Sequence, residues 1–245
     1  MGYLSAVHVR PREVGDDRCA ADDRSAALPD AAAGTSVPNI VAAPVRIART
    51  ALGPVGYREV GSGSPLLLVT GFGATIDDWA PAFVDGLAAH HRVIVFDNAG
   101  AGATAPLRRL SILSMAAQTS DLILTLRLGH PAVLGWSMGG MIAQALAVEH
   151  PRQVSRLILA ATQAGTGRAL PIPPSAAARA ASSNPAKVLS VLFPANQRPA
   201  EQAYVRGVLS YPHYATVPTA VKNRQTAAIA QWMAGDVRVG TEIAP

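Results

Sequence analysis

Between residues 44 and 160 short apolar runs alternate with longer stretches in which apolar residues return every three to four positions. The runs are Leu66 to Val69, Val93 to Phe96, PAVLG at 131–135, and Val154 to Leu159 within VSRLILA. Strands buried on both faces lack the usual in-out alternation, so these runs predict a mostly parallel sheet between helix layers. The helices expected between them are Trp79 to Ala88, Ser114 to Leu128 with Gly129 as its stop, and Met138 to Val148. Upstream, VRIART and VGYREV flank Leu52-Gly53-Pro54 and predict a hairpin or meander at one side of the sheet. Strand and helix in this alternation predict an α/β fold with right-handed crossovers.

Outside that block the pattern dissolves. Residues 14–39 are rich in Ala, Asp, Gly and Pro with no sustained period, and 1–43 is expected to be a flexible lead. The core is placed at 44–164. After Ala160, Pro171, Pro173, Pro174 and Pro185 interrupt helical stretches, which predicts a helical, cap-like region at 165–232 lying over the sheet.

Composition changes the picture little. Apolar residues make up 49% of the chain, much of it alanine, and charged residues 15%, a globular balance. The net charge of +5 is spread as single Arg and Lys residues with 5% aromatics, so the gathered basic face of a nucleic-acid binder is not expected. Cys19 is the only cysteine, which rules out an intrachain disulfide and a multi-cysteine metal site. There is no transmembrane segment of about 18 apolar residues and no secretory pattern at the start, and a cytoplasmic setting is the default expectation.

The chemistry concentrates in LGWSMGG, residues 134–140. Gly135-Trp136-Ser137-Met138-Gly139 fits G-x-S-x-G between a predicted strand and a predicted helix. A serine on such a turn projects its hydroxyl above the sheet, and the small residues on either side avoid collision with the neighbouring strand and helix. Ser137 is thus the candidate catalytic nucleophile. The loop TGFGATIDDW follows the strand at 66–69, and the backbone N–H groups of Phe72 and Met138 are the candidate oxyanion hole. FDNAGAG fits neither a P-loop nor a dinucleotide turn, and Asp97 within it is read as a structural acceptor of local N–H groups. No metal-ligand spacing is present, and neither metal nor cofactor is expected.

Three landmarks, YREVGSGSPLLLVTGFG with Trp79 downstream, VIVFDNAGAGAT, and VLGWSMGGMIAQALAVEHPRQVSRLILAAT, make residues 44–160 resemble the first half of the α/β-hydrolase superfamily. The likeness is to small bacterial serine esterases, ester lactonases and cofactor-free haloperoxidase relatives. It implies Ser137 as nucleophile, Phe72 and Met138 as oxyanion amides, and a cap from about Gly165 to Trp232. Thr70 stands where relatives commonly have histidine, and Ala99 where they usually have arginine. The segment 233–245 resembles an approach to closing core strands, so the resemblance implies a partial fold in which those strands, the triad acid and the histidine are missing.

The histidines do not fill that gap. His8 lies in the lead, His90, His91 and His130 precede strands at the far end of the sheet, and His150 is about 20 Å from Ser137 along a helix. His213, in SYPHYAT, is expected to pack within the cap, and Asp236 and Glu242 follow it in the reverse of the family's order. Two readings stay open: a serine hydrolase acting on an ester, lactone or thioester, and a truncated or catalytically deficient protein that retains ligand or protein binding. The partners these imply are a small acyl-containing ligand and a protein or second copy covering the incomplete sheet, whose unpaired edge predicts aggregation.

Overall fold

The computed structural model describes residues 4–7, 37–165 and 170–235. Its strands in chain order are β1 (Leu4–Val7), β2 (Arg46–Thr50), β3 (Gly53–Val60), β4 (Pro65–Val69), β5 (Arg92–Phe96), β6 (Ala132–Trp136) and β7 (Arg156–Ala160). They form one sheet in the order β1-β7-β6-β4-β5-β3-β2. The middle strands β7, β6, β4 and β5 are parallel; β3 pairs antiparallel with β5, β2 with β3, and β1 with β7. The helices are α1 (Pro81–Ala88), α2 (Ile112–Thr125), α3 (Met138–Glu149), α4 (Pro174–Ala180), α5 (Pro185–Leu192), α6 (Arg198–Val208) and α7 (Thr219–Met233). The expected mostly parallel sheet flanked by helices is what forms. Among the described residues no helix is long and apolar enough to cross a membrane.

Both sheet faces are dry, which is why the central strands read as unbroken apolar runs. Leu66, Leu68, Val93 and Val95 pack on one side with Ile40, Trp79 and the α1 residues Val84 and Ala88. Leu67, Val69, Ile94 and Phe96 pack on the other with Met115 and Leu122 of α2 and Met141 and Ile142 of α3.

Helix starts differ from expectation where a cap decides them. Ser111 Oγ accepts the Ser114 N–H at 3.1 Å while Ser114 Oγ accepts the Ser111 N–H at 2.9 Å, so α2 opens at Ile112 and Ser114 lies inside its first turn. The helix closes before Gly129 because Arg127 (φ 51°) and Gly129 (φ 65°) are left-handed. Trp79 belongs to the turn that precedes α1, and Pro81 begins that helix.

Ordered structure begins ahead of residue 44, in contrast to the expected flexible lead. Ile40 is fully buried; its N–H donates to Asp85 Oδ1 at 2.7 Å and its carbonyl accepts from Arg58 at 3.2 Å. Further upstream, β1 runs beside β7 from Leu4↔Ala160 to Val7↔Leu157. One edge of β7 is thus paired with residues 4–7.

The region expected to be a cap divides in two. Helices α4, α5 and α6 bury one residue between them, Val208. Helix α7 buries Gln225, Ala228 and Trp232, and the last two belong to the core beneath the sheet.

Candidate active site

Strand β6 ends at Trp136, α3 begins at Met138, and Ser137 is the single residue that joins them. Its backbone sits at φ 55° and ψ −121°, a left-handed conformation costing on the order of 1–3 kcal/mol for a residue with a Cβ. The surroundings hold it there. Ser137 N–H donates to the Ala160 carbonyl at 2.9 Å, and its own carbonyl accepts the Gly140 N–H at 2.9 Å and Thr162 Oγ1 at 2.7 Å. A Cβ on Gly135 would reach 2.5 Å from the Gly139 carbonyl oxygen, and one on Gly139 would land on the Val69 carbonyl oxygen. Both glycines of the motif are therefore required by close backbone approach.

The turn opens into a cavity of about 420 Å³. Ser137, Trp136, Phe72 and Gly73 line it together with residues of α4, α5 and α6, among them Val188, Leu189 and Val205. Met138 is fully buried as the first residue of α3, where an N–H has no partner within its own helix. Phe72 is half-buried in the loop after β4. The structure thus places all three sequence-predicted site residues at one end of the sheet, two of them on the cavity surface.

The loop carrying Phe72 is held from both sides. Asn98 Nδ2 donates to the Thr70 carbonyl and to Thr70 Oγ1, each at 2.9 Å, so Thr70 makes a buried polar link at the start of this loop. Gly73 N–H donates to Oε1 of the fully buried Gln225 at 2.8 Å, a positioning contact from α7 that sequence reasoning missed. Asp97 accepts from Ile76 N–H at 2.8 Å and Ala103 N–H at 3.1 Å, the structural role expected of it. Burial pushes its carboxyl up to about 6, against the opposing effect of those two N–H groups, with Asp77 and Asp78 adding to the rise.

A second polar cluster fastens the helical region to the core. Asp77 pairs with Arg58 at 3.0 Å with both side chains almost fully buried, and Arg58 also lies 4.9 Å from the centre of the Tyr211 ring. Tyr204 and Tyr211 donate to the carbonyls of Asp78 and Trp79, each at 3.1 Å, and Tyr214 donates to Asp78 Oδ1. Burial raises the Asp78 carboxyl above its ordinary range, and the bonds from Tyr214 and Thr75 oppose that. His213, expected to pack in the cap, is instead exposed, and Tyr211 two residues earlier is the buried one.

Among the described residues no histidine lines the cavity, and Ser137 Oγ makes no hydrogen bond. His90 and His130 are exposed, and His91 and His150 are half-buried. His8, Asp236 and Glu242 lie outside the described residues. No three His, Cys, Asp or Glu side chains among the described residues stand close enough together to hold a metal ion.

Comparison with known proteins agrees with this architecture. A family profile for the alpha/beta hydrolase fold matches residues 64–207. BpoC of Mycobacterium tuberculosis, which is named as a non-heme bromoperoxidase, is 40% identical over 116 residues, 47% of this chain and 44% of that protein. A pimeloyl-[acyl-carrier protein] methyl ester esterase of Aliivibrio salmonicida is 37% identical over 106 residues, 43% of this chain and 39% of that protein. The chain spans less than half the length of these curated relatives. Among solved structures, an alpha/beta hydrolase fold protein from Chitinophaga pinensis superposes with a TM-score of 0.68 at 24% identity, over 79% of this chain and 73% of that one. The N-acyl homoserine lactonase AidH does so with a TM-score of 0.61 at 20% identity, over 82% and 73%. Strand order, the serine turn and the profile match converge, and the chain belongs to the alpha/beta hydrolase fold family.

Proposed function

We propose that this protein is a serine hydrolase acting on an ester, lactone or thioester. The observation that carries the reading is the left-handed Ser137 at the mouth of a strand-to-helix turn, opening into an apolar cavity that Phe72 shares. Ser137 Oγ attacks the acyl carbon, the carbonyl oxygen gathers negative charge, and the N–H groups of Phe72 and Met138 receive it. The bond to the leaving alcohol or thiol breaks as the acyl-enzyme forms. Water then releases the carboxylic acid and restores the serine. Val188, Leu189 and Val205 offer the acyl chain apolar contact at about 25 cal/mol per Å² buried. The esterase and lactonase names among the relatives and structural neighbours support an acyl substrate.

Attack also needs a proton acceptor beside Ser137, and the described residues supply no imidazole in the cavity. That observation favours a second reading, in which the cavity binds an acyl ligand without turnover. One experiment separates them: labelling by a fluorophosphonate, together with turnover of 4-nitrophenyl esters, in the wild type and in Ser137→Ala. Turnover that falls on the order of 10³-fold or more with loss of the adduct supports the hydrolase. Equal turnover in the two proteins sinks it, and ligand binding that survives alongside supports the second reading.

A further inference from the structure

We infer that Lys222 forms an anion-recognising subsite of the Ser137 cavity, selecting acyl substrates that carry a carboxylate a few bonds from the reacting carbonyl. The inference rests on the acyl-substrate reading above and adds a substrate class to it.

Among the described residues Lys222 is the only basic side chain lining the cavity, and Asp78 the only acidic one. Asp78 is already committed: its Oδ2 accepts the Thr75 N–H at 2.8 Å and Thr75 Oγ1 at 3.3 Å, and its Oδ1 accepts from Tyr214. The side-chain ion pairs among the described residues are Arg58 with Asp77 and Arg92 with Glu59, so Lys222 has no carboxylate partner there. Nor does any hydrogen bond join it to Ser137. A half-buried ammonium at a cavity lined mainly by apolar side chains attracts an anion more strongly than the same group in open water, because the local dielectric is lower. The chain's net charge of +5 adds a weaker attraction for anionic ligands.

Position narrows the ligand further. The Lys222 stem lies across Gly73, with its Cε, Cδ and Cγ at 3.3, 3.7 and 3.8 Å from where a Cβ on that glycine would stand. Gly73 follows Phe72 directly, one Cα step of about 3.8 Å away. The Lys222 stem therefore lies one residue from the amide proposed to receive the oxyanion, which brings a carboxylate that meets its ammonium toward the scissile carbonyl. Such a carboxylate does not sit at the far end of a long acyl chain. Lys222 also belongs to α7, which Trp232 anchors in the core, so its place does not depend on the lightly packed α4–α6. A half-ester of a short dicarboxylic acid meets these requirements.

The test compares two poorly hydrolysed amides, the monoanilide of glutaric acid and the anilide of pentanoic acid, by titration calorimetry against wild type, Lys222→Met and Lys222→Arg. Wild type is expected to bind the glutaric monoanilide at least 10-fold more tightly than the neutral anilide, less so at high salt. Lys222→Met is expected to reduce that preference below 3-fold, and Lys222→Arg to keep most of it. Equal affinities in wild type, no binding of either amide, or a preference unchanged in Lys222→Met overturns the inference. If Lys222→Met fails to fold, Lys222→Gln and the salt dependence in wild type carry the test. Failure of the hydrolase reading has a different signature: Ser137→Ala then retains turnover, whatever the anilide preference shows.

Discussion

The serine turn and the helices above it are built on opposite terms. At residues 135–140 each small residue is required by a neighbouring backbone or side chain, and Ser137 is tied through its N–H and its carbonyl. Across α4, α5 and α6 the faces are largely exposed and Val208 alone is buried. The attachment of that upper region runs through a few polar contacts from Tyr204, Tyr211, Tyr214 and Ala215 to the turn at Asp77–Trp79. Ser137, the proposed nucleophile, is thereby fixed by the sheet, while the cavity wall can change residue by residue without moving it. In the proposed hydrolase, the geometry at Ser137 is therefore separable from the apolar contacts that α4–α6 offer an acyl chain.

The largest effect is expected where the two regions join. Asp77→Ala leaves Arg58 charged, buried and without its ion pair, which costs about 3–5 kcal/mol. The denaturant midpoint reads this directly, and a shift below 1 kcal/mol would show that the joint carries little. Next comes Gly139→Ala. Its new methyl group meets the backbone of β4 instead of a side chain that could rotate away, so about 1–3 kcal/mol of stability and the Ser137 label should be lost together. An intact label in a folded Gly139→Ala protein breaks the claim that the turn is over-determined. A smaller effect separates the regions without mutation. Amide exchange in α4–α6 should proceed through local openings well below the global unfolding energy, whereas α3, buried along Met138–Leu146, should exchange near the global limit. Uniform protection across both would remove the contrast.

What the sequence made legible follows the same division. The core strands could be read because burial on both faces writes a continuous apolar run, and the serine turn because its glycines have a steric cause that is local in sequence. Gln225 and Lys222 could not be read, since their meaning depends on α7 docking against Gly73 about 150 residues earlier in the chain. Tyr211 and Tyr214 flank His213 in SYPHYAT, and the histidine drew the chemical argument while the tyrosines make the contacts. Strand β1 was hidden for another reason: four residues, LSAV, are too few to show a period, and their partner lies at the other end of the core.

The smallest expected effect is a pH dependence at the base of the joint. Asp97 accepts the Ile76 N–H of the turn preceding α1, and burial raises its carboxyl to about 6 from an unfolded value near 3.9. Between those values the folded chain holds a proton that the unfolded chain has released, so this group's contribution to stability is complete below about pH 4 and is lost as pH rises through 6. Asp97→Asn removes the titration. It also leaves one of the two N–H donors without an acceptor, a loss on the order of 1 kcal/mol at every pH. Wild type should therefore exceed Asp97→Asn by the largest margin near pH 4, and the margin should narrow toward pH 6.5. Thermal melts of the two proteins across that range measure it, and the comparison cancels the opposite trend from Glu59, whose carboxyl Arg92 holds below its ordinary range. A margin that stays constant would mean that Asp97 is ionised throughout, with its two backbone donors outweighing its burial.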